Sequence, residues 1–393
     1  MCALTKMRGW LNMNIFVIGG GFAGIKAAKE LEKGLSNNHE IYLIDKKDYT
    51  TMLPNLPEIV SGRLRKEDIT ENIKTLIPKG VNFLREEVTE VNFDERKIIT
   101  KNNEYNYDYL VLGAGSTTNF FGFNDNLNKV NVLDSIDTAQ KVRENFLKHM
   151  EDKTEINLVI SGAGFTGIEL ACNLYDLSKK NGKKINVVMV DLTKTVLPML
   201  SEKSAKHVVD KLDKMSFKIY TENQVKSFDG QNVTFKNGET IKDAFFCWCS
   251  GVKAPLKPIG NYEALPDGRI LVNEYLNLSN YPEVYIAGDA AAIKDIKGNI
   301  LRRAVTFSEM SGKHAAKNIV AVINGEEKKN FNPIDLGWII PMYITSVGVA
   351  MGVEVRGRKG IFMHYVICGM KNYSFNNFVK ELVAAIKYPF AKL

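Results

Sequence analysis

One stretch constrains this chain more than any other: Asn14 to Asp45, NIFVIGGGFAGIKAAKELEKGLSNNHEIYLID. Four apolar residues, Ile15 to Ile18, run straight into Gly19-Gly20-Gly21-Phe22-Ala23-Gly24. A helical pattern (Ile25, Ala28, Leu31) follows, and a second apolar run ends on Asp45 beside Lys46. Strand, glycine turn, helix and strand, with an acid about 20 residues past the last glycine, make the dinucleotide-binding βαβ layout. Gly19 allows the tight turn, Gly21 lets backbone amides approach a pyrophosphate, and Gly24 lets the helix pack close to the strand. The helix N-terminus offers partial positive charge to phosphates. Asp45 can accept hydrogen bonds from a ribose diol.

The same unit returns in Ile156 to Asp191. Gly162-Ala163-Gly164-Phe165-Thr166-Gly167 follows an apolar strand and opens a helix (Ile168, Leu170, Ala171, Leu174), and the next strand ends on Asp191. Two complete units imply two nucleotides. An acid at the end of the second favours NADH over NADPH, because a carboxylate repels a 2′-phosphate.

At 393 residues the chain is long enough for two or three domains. Its 45% apolar and 25% charged residues are those of a globular protein. The net charge of +7 is spread as single lysines, which argues against nucleic acid as a partner and leaves plain solvation, an anionic membrane surface or an acidic protein open. Five cysteines (Cys2, Cys172, Cys247, Cys249, Cys368) form neither a zinc spacing nor an even disulfide framework, so no metal site is expected and a reducing cytosol suits them. Met1 to Asn12 carries no apolar signal-peptide core, and Met13 is an alternative start.

Between and after the two units the pattern is equally readable. Glu86 to Thr100 reads as short strands around a turn, and Tyr105 to Gly115 as a β-rich run ending in Gly-Ala-Gly. A helix is expected from about Asp137 to Met150, and Asn237-Gly238 marks a hairpin. Phe245 to Val252 reads as a buried strand, Val284 to Ala292 as a strand running into Gly288-Asp289, and Arg303 to Ile323 as a helix. Leu336 to Val353 is an uncharged run whose Pro341, glycines and β-branched residues argue for strands over a membrane span.

GGGFAG, GAGFTGIELA and YIAGDAA, occurring in that order, resemble the two-dinucleotide-binding-domain flavoproteins. Thr166-Gly167-Ile168-Glu169-Leu170-Ala171, Met52-Leu53-Pro54-Asn55-Leu56-Pro57-Glu58 and Trp248-Cys249-Ser250-Gly251-Val252 narrow the resemblance to type II NADH dehydrogenase. That resemblance implies an α/β fold of two Rossmann-like domains, binding FAD and NADH, with a C-terminal α+β appendage. Gly19, Gly20, Gly21, Phe22, Ala23, Gly24, Asp45 and Lys46 would hold the ADP half of FAD, with Val88 near its adenine. Gly115 would mark the passage between domains. Gly288 and Asp289 would meet the ribityl or pyrophosphate part of FAD. Gly162, Gly164, Phe165, Thr166, Gly167, Asp191 and Gly251 would hold NADH, and Glu169 would lie near the nicotinamide. A plainer reading makes Glu169 a solvated acid at a helix N-terminus.

The family's quinone reducers carry two glutamines four residues apart after the GDAA segment. Thr306 and Met310 stand there instead, and a thioether cannot donate a hydrogen bond to a quinone carbonyl. The expected activity is hydride transfer from NADH to flavin followed by electron transfer to a quinone. A reductase serving a ferredoxin-like redox protein is the alternative. A sulfide:quinone oxidoreductase ranks lower because the second glycine turn holds no cysteine, and a nucleotide-binding sensor is the remaining class. Cys247 and Cys249 lie two apart on a strand and read as buried core thiols rather than a redox pair.

The resemblance divides the chain into an FAD domain (13–118 and 253–330), an NADH domain (119–252) and a C-terminal region (331–393). In the last, Phe375, Phe378, Val379, Leu382, Val383 and Ile386 recur at helical steps, flanked by Lys371, Lys380, Lys387 and Lys392. That face is expected to lie on the inner surface of the cell membrane, making the protein cytoplasmic and peripheral. Docking on its own core or in a homodimer is the alternative.

Overall fold

A computed structural model describes residues 12–36, 38–198 and 200–387. Cys2, Lys392 and the segment before Asn12 lie outside them. In chain order the main elements begin with β1 (Asn14–Ile18), α1 (Phe22–Gly34), β2 (Glu40–Asp45), α2 (Leu56–Ser61), β3 (Val81–Arg85) and β4 (Tyr109–Leu112). Next come β5 (Asn131–Val132), α3 (Ile136–Met150), β6 (Glu155–Ser161), α4 (Phe165–Lys180), β7 (Lys184–Val190) and β8 (Lys218–Tyr220). Then follow β9 (Val225–Phe228), β10 (Val233–Phe235), β11 (Thr240–Ile241), β12 (Ala244–Trp248), β13 (Val284–Ile286) and α5 (Val305–Ile323). The chain closes with β14 (Gly337–Met342), β15 (Thr345–Ala350), β16 (Val353–Arg356), α6 (Arg358–Lys371) and α7 (Phe375–Lys387).

The chain divides into two compact units. Among the described residues, the first comprises 12–50, 71–117 and 252–335; the second comprises 51–70, 118–251 and 336–387. This division differs from the sequence-based one in two places. The short helix α2 and residues 336–387 of the C-terminal region belong with the second unit, whereas 331–335 stay with the first.

The first unit is built on a parallel sheet in the order β13–β4–β1–β2–β3. Phe16, Leu43, Val111 and Tyr285 in its strands are buried, as expected of strands covered on both faces. Helix α1 packs along α5, where Gly312 lies so close to Ala23 that a Cβ would overlap its backbone.

The second unit repeats the plan with a parallel sheet in the order β5–β12–β6–β7–β8. An antiparallel meander, β9–β10–β11, packs its Val225, Phe228 and Phe235 against Val159, Val190 and Phe246 of that sheet. The C-terminal strands β14, β15 and β16 form an antiparallel sheet, as the uncharged run predicted. Phe165 at the start of α4 stacks on Trp338 of β14, ring centres 5.2 Å apart.

Helix α7 has the predicted period, with its polar side turned inward and its apolar side outward. Asn377, Glu381, Ala384 and Ala385 face inward, while Phe375, Val379, Val383 and Ile386 face outward. Phe378 and Leu382 are half-buried between the two sides.

Candidate functional site

The two glycine turns are near copies. Gly19 and Gly162 take left-handed backbone angles, φ 103° and 101°. A Cβ on Gly24 would overlap the Gly19 carbonyl, and one on Gly167 would overlap that of Gly162. Internal packing therefore dictates glycine at these positions.

Gly21 and Gly164 differ, because a Cβ there would meet no protein atom within 4 Å. They cap α1 and α4, and neither helix has a side-chain hydrogen bond at its N-cap. First-turn amides without a side-chain cap facing open space form a cradle for anionic oxygens. A pyrophosphate fits both turns on this ground.

The strand-end acids are already tied to the turns. Asp45 Oδ2 accepts from the Gly20 amide at 2.6 Å and Oδ1 from Lys47 N at 2.8 Å. Asp191 Oδ2 accepts from the Ala163 amide at 2.7 Å, and Oδ1 from Thr193 N and Oγ1. Burial raises the Asp45 pKa, opposed by these backbone donors and by Lys46 and Lys47. Lys46 itself pairs with Glu87 at 3.7 Å on the surface. Val88 packs partly against the first unit's core, and Gly115 takes φ 72° with open space beside it.

Asp289 sits in a polar nest that sequence reading did not assemble. Its carboxylate accepts from Ser116 Oγ at 3.1 Å and Ser308 Oγ at 3.3 Å. Its pKa is raised by burial, with Ser116, Arg303 and Ser308 pulling the other way. The Gly288 amide donates to Ser311 Oγ at 2.9 Å. Arg303 and Arg269 both pair with Asp267, so two arginines line the approach to the nest. The Arg302-Arg303 pair ahead of α5 was the available signal.

Glu169 is not a solvated helix-start acid. It lies beyond the first turn of α4, half-buried, and burial, then the Glu58 charge, raises its pKa well above the ordinary value. A network of ionisable groups surrounds this part of the second unit. Glu58 is 1% exposed, with its pKa pushed up to about 7 by burial despite Arg63. His364 Nε2 lies 3.9 Å away, but burial lowers its pKa to about 4, so the contact is not an ion pair at neutral pH. Glu381 of α7 is fully buried and accepts from Asn55 Nδ2 at 2.8 Å. Glu58 and Asn55 stand in the LPNLPE motif, but no local pattern marks Arg63, His364 and Glu381 as their neighbours.

Thr306 and Met310 occupy adjacent turns of α5, both half-buried, and Met310 packs on the first unit's core. Cys172, Cys247, Cys249 and Cys368 are all free thiols. Burial pushes the thiols of Cys172 and Cys249 up to about 12.

Two Rossmann-type sheets, each with an open glycine turn and a strand-end carboxylate, define a pyridine-nucleotide-dependent oxidoreductase of the two-nucleotide class. The family model described as pyridine nucleotide-disulphide oxidoreductase matches residues 13–316, and the chain belongs to that family. A type II NADH:quinone oxidoreductase of Staphylococcus aureus is 28% identical over 385 residues, covering 90% of this chain and 93% of the relative. NDH2 from Plasmodium falciparum superposes with a TM-score of 0.81 at 17% identity, covering 97% of this chain and all of that one. The sulfide:quinone oxidoreductase of Aquifex aeolicus has a TM-score of 0.74 at 18% identity, with 96% of each chain covered. The two structures establish likeness of fold.

Proposed function

We propose that this chain oxidises NADH through bound FAD and passes the electrons to a quinone at a membrane surface. The observation that carries this reading is the pair of open, uncapped glycine turns in one chain. The likeness to type II NADH:quinone oxidoreductase over 90% of its length supports it. FAD, when bound, supplies a ring that accepts a hydride and releases two electrons singly or together.

The residues divide the work. Gly19 to Gly24 and Asp45 hold the ADP half of FAD, with Lys46 and Val88 beside it. Asp289 with Gly288, steadied by Ser116 and Ser308, orients the middle of that cofactor. Gly115 leaves backbone room for it. Gly162 to Gly167, Asp191 and Gly251 hold NADH, and Glu169, its pKa raised by burial and then by the Glu58 charge, lies toward its nicotinamide. Thr306 and Met310 line the acceptor side.

The membrane part rests on the outward side of α7. Phe375 is 80% exposed, Val383 57% and Ile386 59%, and Met370 of α6 is exposed at 72%. No helix among the described residues is long and apolar enough to cross a membrane. A monotopic attachment through this face fits both facts. Lys380 does not serve as a headgroup anchor, because it pairs with Asp68 at 2.8 Å.

One observation favours a redox-protein acceptor instead: Met310 has no donor for a quinone carbonyl. Steady-state assays of the purified flavoprotein with NADH separate the readings. Turnover of a menaquinone in detergent or vesicles is expected. Turnover with a ferredoxin-type protein, and none with quinones, would reject the quinone.

A further inference from the structure

A cleft of about 390 Å³ lies at the C-terminal edge of the second unit's parallel sheet. Phe121, Asp191, Leu192, Gln224, Trp248 and Ser250 line it. Asp191 ends the strand that follows the second glycine turn, so a dinucleotide with its pyrophosphate on that turn places its adenosine ribose at Asp191. The base attached to that ribose is one ring further along, inside the cleft.

Phe121 is unusual in two independent ways. Its side chain is 67% exposed, although the buried aromatic Trp248 lines the same cleft. Its backbone is left-handed, φ 48°, a conformation bulky residues seldom take.

A set of hydrogen bonds imposes both properties. The Phe121 amide donates to Asn119 Oδ1 at 3.0 Å, the Asn119 amide donates to the Gly251 carbonyl at 3.0 Å, and Trp248 Nε1 donates to the Asn119 carbonyl at 2.9 Å. The ring is thereby set over Gly251, where a Cβ would stand 3.0 Å from Phe121 Cε2 and Cζ. A loop that spends backbone strain to keep an aromatic ring out of the core presents that ring to something flat.

We infer that Phe121 is the stacking platform for the adenine of NADH. The inference rests on NADH binding at the second glycine turn, and gives Asn119 the role of holding the platform. A base stacked on an aromatic ring loses roughly 5- to 150-fold in affinity when the ring is removed.

The test uses the FAD-loaded protein and ADP-ribose, which carries the adenosine half without the reducing nicotinamide. Calorimetry is run on wild type, Phe121→Asn and Phe121→Trp. Asparagine tolerates the left-handed backbone, so F121N removes the ring without adding strain. F121N is expected to bind ADP-ribose at least fivefold more weakly and F121W within about twofold of wild type. In rapid-reaction flavin reduction, F121N should raise the NADH concentration for half-saturation while the limiting rate stays unchanged. Binding of ADP-ribose to F121N within twofold of wild type overturns the platform and leaves NADH binding intact. Failure of wild type itself to bind ADP-ribose overturns the NADH assignment of the second turn, and the platform with it.

Discussion

Arg63 grips Asp176 through two nitrogens, Nε at 3.1 Å and Nη2 at 3.0 Å from the same carboxylate oxygen, with side chains only 5% and 7% exposed. The pair ties the segment after α2 to α4, the helix that the second glycine turn opens. With the Asn55–Glu381 and Lys380–Asp68 contacts, this pair holds residues 51–70 to the second unit. Removing one partner of a buried pair leaves an uncompensated charge and costs about 3–5 kcal/mol. Asp176→Ala should lower the stability of the second unit by that amount in guanidinium unfolding, whereas replacing both partners with Met and Leu should cost much less. A loss below about 1 kcal/mol for D176A, the size of an exposed pair, would show that the ion pair does not hold this segment.

The buried carboxyls give the second unit an unusual pH response. Burial raises Glu58 to about 7 and Glu381 to about 8 from an ordinary 4.5, the latter helped by the Glu58 charge. For a raised pKa, the stabilising contribution is complete below the unfolded value and is lost as pH rises through the folded one. The window therefore runs from 4.5 to about 8. His364, lowered from 6.5 to about 4, acts in the opposite sense and loses its contribution as pH falls across that interval. Glu381→Gln should match wild type near pH ~5 and become more stable relative to it toward pH ~8. Parallel stability curves for the two proteins would reject a neutral Glu381.

What could be read from the chain was whatever is local in sequence. Each βαβ unit, the Asn237-Gly238 hairpin and the strands from Gly337 to Ala350 depend on neighbours within a few tens of residues, and the pattern records those. The setting of Glu169 could not be read, because Glu58, Arg63, Asp176, His364 and Glu381 come from three separate stretches. Helix α7 shows the same limit. Its period predicts one apolar side, and the polar side turns inward because Asn377 bonds the half-buried Thr70 carbonyl and Glu381 the buried Asn55. Position alone marks Asp45 and Asp191 as candidate ribose acceptors, and the structure adds that each also braces its own glycine turn.

That bracing separates the two nucleotides by mutation. Asp191→Ala removes the proposed ribose acceptor and the brace on Ala163, and losing charge-assisted hydrogen bonds of this kind costs about 1.5–3 kcal/mol. The KM for NADH should rise roughly 10- to 100-fold, while the ratio of flavin to protein absorbance stays near wild type. Asp45→Ala should do the reverse, yielding protein depleted of flavin. Flavin loss in D191A with unchanged NADH affinity would exchange the assignments of the two turns.

The outward side of α7 offers a last test. Val379 and Val383 are 40% and 57% exposed, one turn apart, on the side of the helix that faces away from Glu381. Aspartate at such positions should leave folding stability within about 0.5 kcal/mol of wild type, because little buried contact is lost. Membrane attachment should respond differently. Burying a valine in the acyl boundary contributes about 1.5 kcal/mol, and a carboxylate there adds a desolvation cost and repulsion from anionic lipid. V379D/V383D should therefore lower partitioning onto anionic vesicles by about a hundredfold. NADH oxidation with a soluble acceptor should be unaffected. Unchanged sedimentation with vesicles, or a wild-type protein that is a stable dimer and ignores vesicles, would assign this face to a second copy of the chain.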